Sequence, residues 1–152
     1  MSFMSQGINI GLIPGGFEEA SLYQRHHHRV YLRNRKGFIK YALQYGYQIQ
    51  PLYVFGEELT YWQYNFPQSI AFWMNKYKIP ATLFIGKYFF LPDNEIDITV
   101  VVGKPLQLPL LQSPSNEEVD CYHEMYMKEL EGVFERNKRK YGVSQEVKLE
   151  IL

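Results

Sequence analysis

The sequence lacks the features of a secreted or membrane-spanning chain. Its single cysteine, Cys121, excludes an intramolecular disulfide and does not argue against a reducing compartment. No apolar run approaches the roughly 18 residues that a spanning helix needs. The first six residues have neither the basic flank nor the apolar core of a signal peptide. We therefore expect one domain over residues 1–152 that does not cross a membrane by itself.

Acidic residues are missing from one long stretch of the chain. Residues 21–56 contain no Asp or Glu, although the formal net charge of the whole chain is zero. The basic side chains in this stretch are Arg25, Arg29, Arg33, Arg35, Lys36 and Lys40. Such a segment raises the local concentration of anions, but a solvated basic face has the same composition. No nucleic-acid-binding module accompanies it, so we expect no nucleic acid partner.

Aromatic residues are abundant, with 13 Tyr, 10 Phe and two Trp. Aromatic side chains fill cores well, and those with a polar tip also suit surfaces that meet partners or membrane interfaces. Of these two interpretations we favour the core.

Apolar runs and turn residues predict alternating strands and helices in the first part of the chain. Phe38, Ile39, Ala42 and Leu43 share one helical face, and Gly46 is placed to cap that helix. A strand, a helix and a second strand in this order predict a parallel βαβ crossover. The predicted elements are a buried strand at 8–13, a short helix at 17–22, a polar connection at 25–33, a helix at 35–45 and a strand at 49–55.

The last helix has the clearest signals in the second part. Ser115 followed by Glu118 forms a capping box, and an apolar stripe continues to about Tyr141, before Gly142. The other predicted elements are a helix at 68–77, strands at 82–85 and 97–102, and a connection at 103–114. Together they predict an α/β fold with a partly parallel sheet flanked by helices.

Three groups of residues have chemistry to offer. Gly15 and Gly16, between a predicted strand and a predicted helix, fit either a tight turn or the close approach of an anion or oxyanion. The histidines at 26–28 are adjacent and lack nearby ligands, so we expect no metal site there but a loop that is basic when protonated. Cys121 and His123 point apart on a helix, so we expect structural roles for both.

Five segments in order resemble the type 2 diacylglycerol acyltransferase family, which includes mono- and diacylglycerol and wax-alcohol acyltransferases. Residues 14–19 resemble its PGGxxE block, and residues 33–42 its RNRKGFxK helix. Residues 50–57 resemble its VPxxxFGE segment, and residues 101–106 its VVGKPI segment. Residues 118–127 resemble the EEVDxYHxxYM start of its last helix. The resemblance is to the C-terminal half of the family, and these blocks do not separate its members.

The resemblance implies acyl transfer from acyl-CoA to the hydroxyl of a neutral lipid such as diacylglycerol, at the cytosolic face of the endoplasmic reticulum membrane. In the family a histidine of an HPHG block is the general base, and this block lies upstream of the PGG block. The resemblance therefore implies a glycerolipid-acyltransferase-like fold that is incomplete at the N-terminus and lacks that histidine. A non-catalytic acyl-CoA- or lipid-binding fragment is the alternative. Acyl-CoA is a substrate here, and no cofactor or metal is implied.

The site residues follow from the same resemblance. Glu19, the last residue of the PGGxxE block, is a catalytic candidate that either orients the general base or shapes the turn. The substrate-binding candidates are Gly15, Gly16, Arg33, Arg35, Lys36 and Gly37. The basic segment meets either the phosphates of coenzyme A or solvent and lipid headgroups. Glu18 and Glu19 would repel a phosphate-bearing acceptor, so a neutral acceptor fits better.

Overall fold

A computed structural model describes residues 2–16, 18–19, 23–65, 73, 77 and 82–152. The described helices are α1 (Ser2–Ser5), α2 (Gly37–Tyr45) and α3 (Asn116–Asn137), with a 3-10 turn at Glu57–Leu59. The described strands are β1 (Arg29–Val30), β2 (Leu52–Phe55), β3 (Trp62–Asn65), β4 (Thr82–Ile85), β5 (Thr99–Val102) and β6 (Glu150–Ile151).

Helix α3 is the element around which the core is built. The predicted capping box is confirmed, since Ser115 accepts from the Glu118 amide and the Glu118 carboxylate accepts from the Ser115 amide. The helix ends at Asn137, earlier than the predicted Tyr141, and turns follow. Tyr141, at the end of the predicted apolar stripe, lies beyond the helix and stacks on Phe55, with ring centroids 4.8 Å apart. The buried face of α3 consists of Val119, His123, Tyr126, Leu130, Val133 and Phe134.

Helix α2 packs on α3 with the face that its sequence predicts. Ile39, Ala42 and Leu43 are buried. Gly46 caps the helix with a φ of 65°, in the left-handed region where glycine is favoured. The helix begins at Gly37, two residues later than predicted, and Lys36 is its N-cap.

The described strands form three two-stranded sheets. Strand β2 pairs antiparallel with β5, β3 antiparallel with β4, and β1 parallel with β6. The described part of the chain is therefore a mixed α/β structure that includes a parallel pair, as the sequence predicts in outline. The predicted strands at 82–85 and 97–102 are confirmed as β4 and β5.

The predicted βαβ crossover is wrong. Residues 8–13 have no strand structure, and Ile13 is 81% exposed. An apolar run becomes a strand only where another backbone edge pairs with it, and the edge of β2 pairs with β5 instead. The parallel pair uses Arg29 and Val30, within the segment predicted to be a connection. The predicted helices at 17–22 and 68–77 lie largely outside the described residues, although Glu18, Glu19 and Trp73 are helical.

Aromatic rings fill the space between the β2–β5 sheet and α3. Phe134 packs against Tyr53 with ring centroids 5.2 Å apart and stacks on Phe55 at 5.8 Å. The preference for a core role is thus confirmed for these rings. It is wrong for several others, including Trp62, Tyr88 and Phe89, which are exposed.

Candidate functional site

The Pro-Gly-Gly turn is built around the side chain of Glu19. Gly15 is buried, and a Cβ added there would overlap the Glu19 carboxylate. Gly16 has a φ of 64°, which favours glycine. The glycines therefore let the chain's own carboxylate fold back over the turn.

Glu19 ties this turn to the segment after β1. Its Oε2 accepts a hydrogen bond of 2.8 Å from the backbone amide of Tyr31. Burial raises the pKa of Glu19, and the Tyr31 amide partly opposes this by favouring the charged form. This geometry gives Glu19 a turn-shaping contact.

Arg35 brings the basic segment to the same turn. Its guanidinium forms an ion pair with Glu18 and lies 5.4 Å from the Tyr31 ring centroid. The pKa of Glu18 is lowered mainly by a hydrogen bond from the backbone amide of Glu18 itself, and the contact with Arg35 lowers it further. Among the described residues nothing accepts from the buried Arg35 Nε. Arg35 is thus largely neutralised by Glu18.

Arg33 faces the C-terminal segment instead. Its Nη2 donates to the carbonyl of Ile151 at 3.0 Å, and its backbone amide donates to the carbonyl of Leu152 at 2.7 Å. The structure therefore places Arg33 and Arg35, two residues apart, in different surroundings.

Lys36 and Gly37 line a groove of about 370 Å³ between the starts of α2 and α3. The other residues that line it are Lys40, Asn116, Val119 and Asp120. Two helix N-termini meet here, and the positive ends of their dipoles favour an anion, although Ser115 already accepts from the Glu118 amide of α3. A Cβ on Gly37 would meet no atom within 4 Å, so the backbone at the start of α2 is open.

The charges in this groove are unequal. Lys36 Nζ lies 2.7 Å from Asp120 Oδ1, and the two side chains are 43% and 49% exposed. Lys40 has no ion-pair partner among the described residues. The groove thus carries one lysine paired weakly at the surface and one unpaired lysine. Lys40 and Asp120 fall within two of the segments that resemble the family, but neither is among the predicted substrate-binding residues, and Asn116 is marked only by its place at a helix start.

His123 ties α3 to the segment before α2. It is buried, and its Nε2 lies 3.0 Å from the carbonyl of Leu32. Burial lowers the pKa of His123. The structural role predicted for His123 is confirmed, whereas the one predicted for Cys121 is wrong, since that thiol is exposed.

The three adjacent histidines separate in the structure. His26 and His27 are exposed, but His28 is buried, with Nδ1 2.9 Å from the Tyr53 hydroxyl and its ring 5.0 Å from Phe134. Burial lowers the pKa of His28, although Glu58 opposes this. The interpretation as a uniformly basic loop is therefore wrong for His28. Among the described residues, no group of three His, Cys, Asp or Glu side chains could hold a metal ion.

The described helices include none that is both long enough and apolar enough to span a membrane. In chemical terms, the described residues offer an anion-favouring groove beside a turn that presents carboxylates.

Comparison with known proteins gives consistent relatives. The model of the diacylglycerol acyltransferase family matches residues 1–152. Diacylglycerol O-acyltransferase 2 of Homo sapiens is 34% identical over 163 residues, which cover 99% of this chain and 42% of the relative. Diacylglycerol O-acyltransferase 2-like protein 6 of Mus musculus is 35% identical over 157 residues, which cover 93% of this chain and 46% of the relative. No solved structure matches the chain.

The chain spans less than half the length of these relatives. The range that the family model matches includes both the turn and the groove. The chain belongs to the diacylglycerol acyltransferase family.

Proposed function

We propose that this chain supplies the coenzyme A-binding part of an acyl-CoA-dependent O-acyltransferase that acts on the hydroxyl of a neutral lipid such as diacylglycerol. The observation that carries the proposal is the groove in which Lys36 and Lys40 meet the starts of two helices. The relatives are named diacylglycerol O-acyltransferase 2, which fits this substrate class.

The groove suits a phosphate because a phosphate can displace the Asp120 carboxylate from Lys36. An exposed ion pair such as that of Lys36 with Asp120 stabilises by only about 0–1 kcal/mol. A phosphate dianion that also reaches the helix amides competes favourably with Asp120. Lys40, for which no ion pair is found among the described residues, adds a second cation.

The turn suits an uncharged acceptor. Arg35 is already paired with Glu18, and Glu19 adds a second carboxylate beside it. A phosphorylated acceptor would meet these carboxylates without a free arginine to pair with. A neutral alcohol meets no such repulsion.

The proposed reaction has three steps. A general base takes the proton of the acceptor hydroxyl, the hydroxyl oxygen attacks the thioester carbonyl, and coenzyme A leaves as its thiol. By family resemblance the base belongs to an HPHG block, which these 152 residues do not contain. His28 and His123 are buried in the core and hydrogen-bonded there, so neither is proposed as the base. Glu19 is proposed either to shape the turn or to orient that base.

The wider setting follows the family and remains part of the proposal. We place the reaction at the cytosolic face of the endoplasmic reticulum membrane, without a cofactor. A fragment that binds acyl-CoA without catalysis would use the same groove, and turnover by a complete enzyme that contains this chain distinguishes the two.

Isothermal titration of the chain with coenzyme A tests the groove. Lys36→Gln and Lys40→Gln should each weaken binding about fivefold, as expected for the loss of about 1 kcal/mol from an exposed charged contact. Asp120→Asn removes the competing carboxylate and should tighten binding. Lys128→Gln, an exposed lysine on α3 outside the groove, is the matched control and should change nothing.

The signs of these changes decide the outcome. All the effects should shrink as salt is raised, because screening weakens exposed charge interactions. Equal weakening by the groove and control variants, or weaker binding in Asp120→Asn, would contradict a phosphate site in this groove.

A further inference from the structure

A turn of exposed aromatic residues, here called the aromatic turn (residues 86–91), has no part in the proposed reaction. Tyr88 is 79% exposed, and Phe89 and Phe90 are each 73% exposed. Since an aromatic side chain has about 200 Å² of surface, these three leave on the order of 400 Å² uncovered. Patches of this size on a surface mark sites of interaction.

The aromatic turn holds its rings outward at a conformational cost. Tyr88 and Phe89 have φ values of 53° and 81°, in the left-handed region that bulky side chains avoid. Backbone hydrogen bonds maintain this shape, from Gly86 to Phe89 at 3.3 Å, from Phe89 to Gly86 at 3.1 Å and from Leu91 to Lys87 at 3.0 Å. The exposure is therefore built into the turn.

These hydrogen bonds also decide what kind of partner fits. A partner that adds a strand needs free backbone groups on an edge. The amides of Gly86, Phe89 and Leu91 are already satisfied within the turn. Internal hydrogen bonds of this kind also lower the cost of placing these three amides at a lipid surface.

The aromatic turn carries no free charge. Its single cation, Lys87, lies 2.7 Å from Glu95 and 3.9 Å from Asp93, and it also donates to Asn94. Because its own cation is paired with carboxylates, the turn itself offers rings rather than charge, which matches a zwitterionic lipid interface better than an anionic one.

The surroundings of the turn resemble those of interfacial residues. Trp62, exposed and paired across the sheet with Ile85, stands next to the turn, and Arg25 lies 4.1 Å over its ring. Tryptophan with a nearby cation is typical of the level of lipid headgroups. The Asp93 amide donates to the Thr60 carbonyl at 3.0 Å, which anchors the segment after the turn to the body of the chain.

We propose that the aromatic turn docks the protein on a zwitterionic lipid surface by inserting Tyr88, Phe89 and Phe90. This surface goes beyond the proposed acyl transfer. Its binding is measured without acyl-CoA or acceptor, so its failure is distinguishable from failure of the proposed reaction.

Sedimentation of the chain with phosphatidylcholine vesicles tests this. The test variant is Phe89→Gly combined with Phe90→Ser, in which glycine removes a ring at a left-handed position without straining the backbone. The partition coefficient should fall at least tenfold, which corresponds to about 1.4 kcal/mol. Phe3→Ser, at an exposed aromatic residue outside the turn, is the control and should keep wild-type binding.

Added salt and anionic lipid distinguish membrane binding by the rings from membrane binding by charge. Binding by the rings should be unchanged by 0.5 M salt and by replacing a fifth of the lipid with phosphatidylserine. Thermal melting of the double variant should match the wild type, which shows that the variant is folded. Absence of wild-type binding, binding only to the anionic vesicles, equal loss in Phe3→Ser, or a double variant that changes only the oligomeric state would overturn the proposal.

Discussion

Acidification should weaken the fold because His28 and His123 are buried as neutral rings. Burial lowers the pKa of both side chains below the ordinary value of about 6.5. Between the lowered folded value and 6.5, the unfolded chain binds protons that the folded chain does not. The stability from this source is therefore complete above about pH 6.5 and is lost as the pH falls.

The size of the effect follows from the number of protons. Each histidine that stays neutral in the fold costs at most about 1.4 kcal/mol per pH unit below 6.5. Two such groups set an upper bound of about 2.7 kcal/mol at pH 5.5. Glu58 lies 3.9 Å from His28 and favours its charged form, so we expect about 1–2 kcal/mol.

Urea denaturation at pH 7.5, 6.5 and 5.5 measures this loss directly. His123→Gln keeps a donor for the Leu32 carbonyl, and His28→Asn keeps a polar partner for the Tyr53 hydroxyl. Each variant should remove about half of the pH dependence, whereas His26→Gln, at an exposed position, should remove none. A stability that is unchanged between pH 7.5 and 5.5, or one that rises, would refute the reasoning.

Three further predictions concern the cap, the turn and turnover. Ser115→Ala removes one side of the capping box and should lower the free energy of unfolding by about 1 kcal/mol, while no change in the urea midpoint would contradict the cap. Glu19→Gln keeps an acceptor for the Tyr31 amide, so thermal melting should hardly change, whereas kcat of a complete enzyme that contains this chain should fall; an unchanged kcat would leave only the turn-shaping role. The 152-residue chain should release no coenzyme A from acyl-CoA in the presence of diacylglycerol, because its sequence does not contain the HPHG block that supplies the general base in the family; turnover that is lost on mutating a residue of this chain would sink that expectation.

Features that depend on neighbouring residues were predicted well from the sequence. The capping box at Ser115 and the glycine cap at Gly46 are set within one helical turn, and both are confirmed. The buried faces of α2 and α3 follow from helical spacing in the same way. Strand pairing is different, because β1 and β6 lie far apart in the chain and nothing local shows that they meet.

The failures have the same physical cause. Residues 8–13 satisfy the composition of a buried strand, but composition does not show whether a pairing edge is available. Three adjacent histidines look alike in sequence, and only Tyr53 and Phe134 distinguish His28 by enclosing it.

The candidate site was predicted in part. The resemblance identified Lys36 and Gly37, but it did not show that Asp120 of α3 lines the same groove and pairs with Lys36. The pairing of Arg35 with Glu18 also depends on tertiary structure. Charge in the sequence therefore located the segment, and the fold decided which cations remain available.

The central claim is that the groove at Lys36 and Lys40 recognises phosphate. The most direct measurement compares the dissociation constants of the chain for an acyl-CoA and for the acyl-pantetheine with the same acyl group, which lacks the phosphates. Acyl-CoA should bind at least tenfold more tightly, and the difference should largely disappear in the Lys36→Gln/Lys40→Gln double variant. Equal affinities for the two thioesters, or a difference that survives in the double variant, would contradict the account.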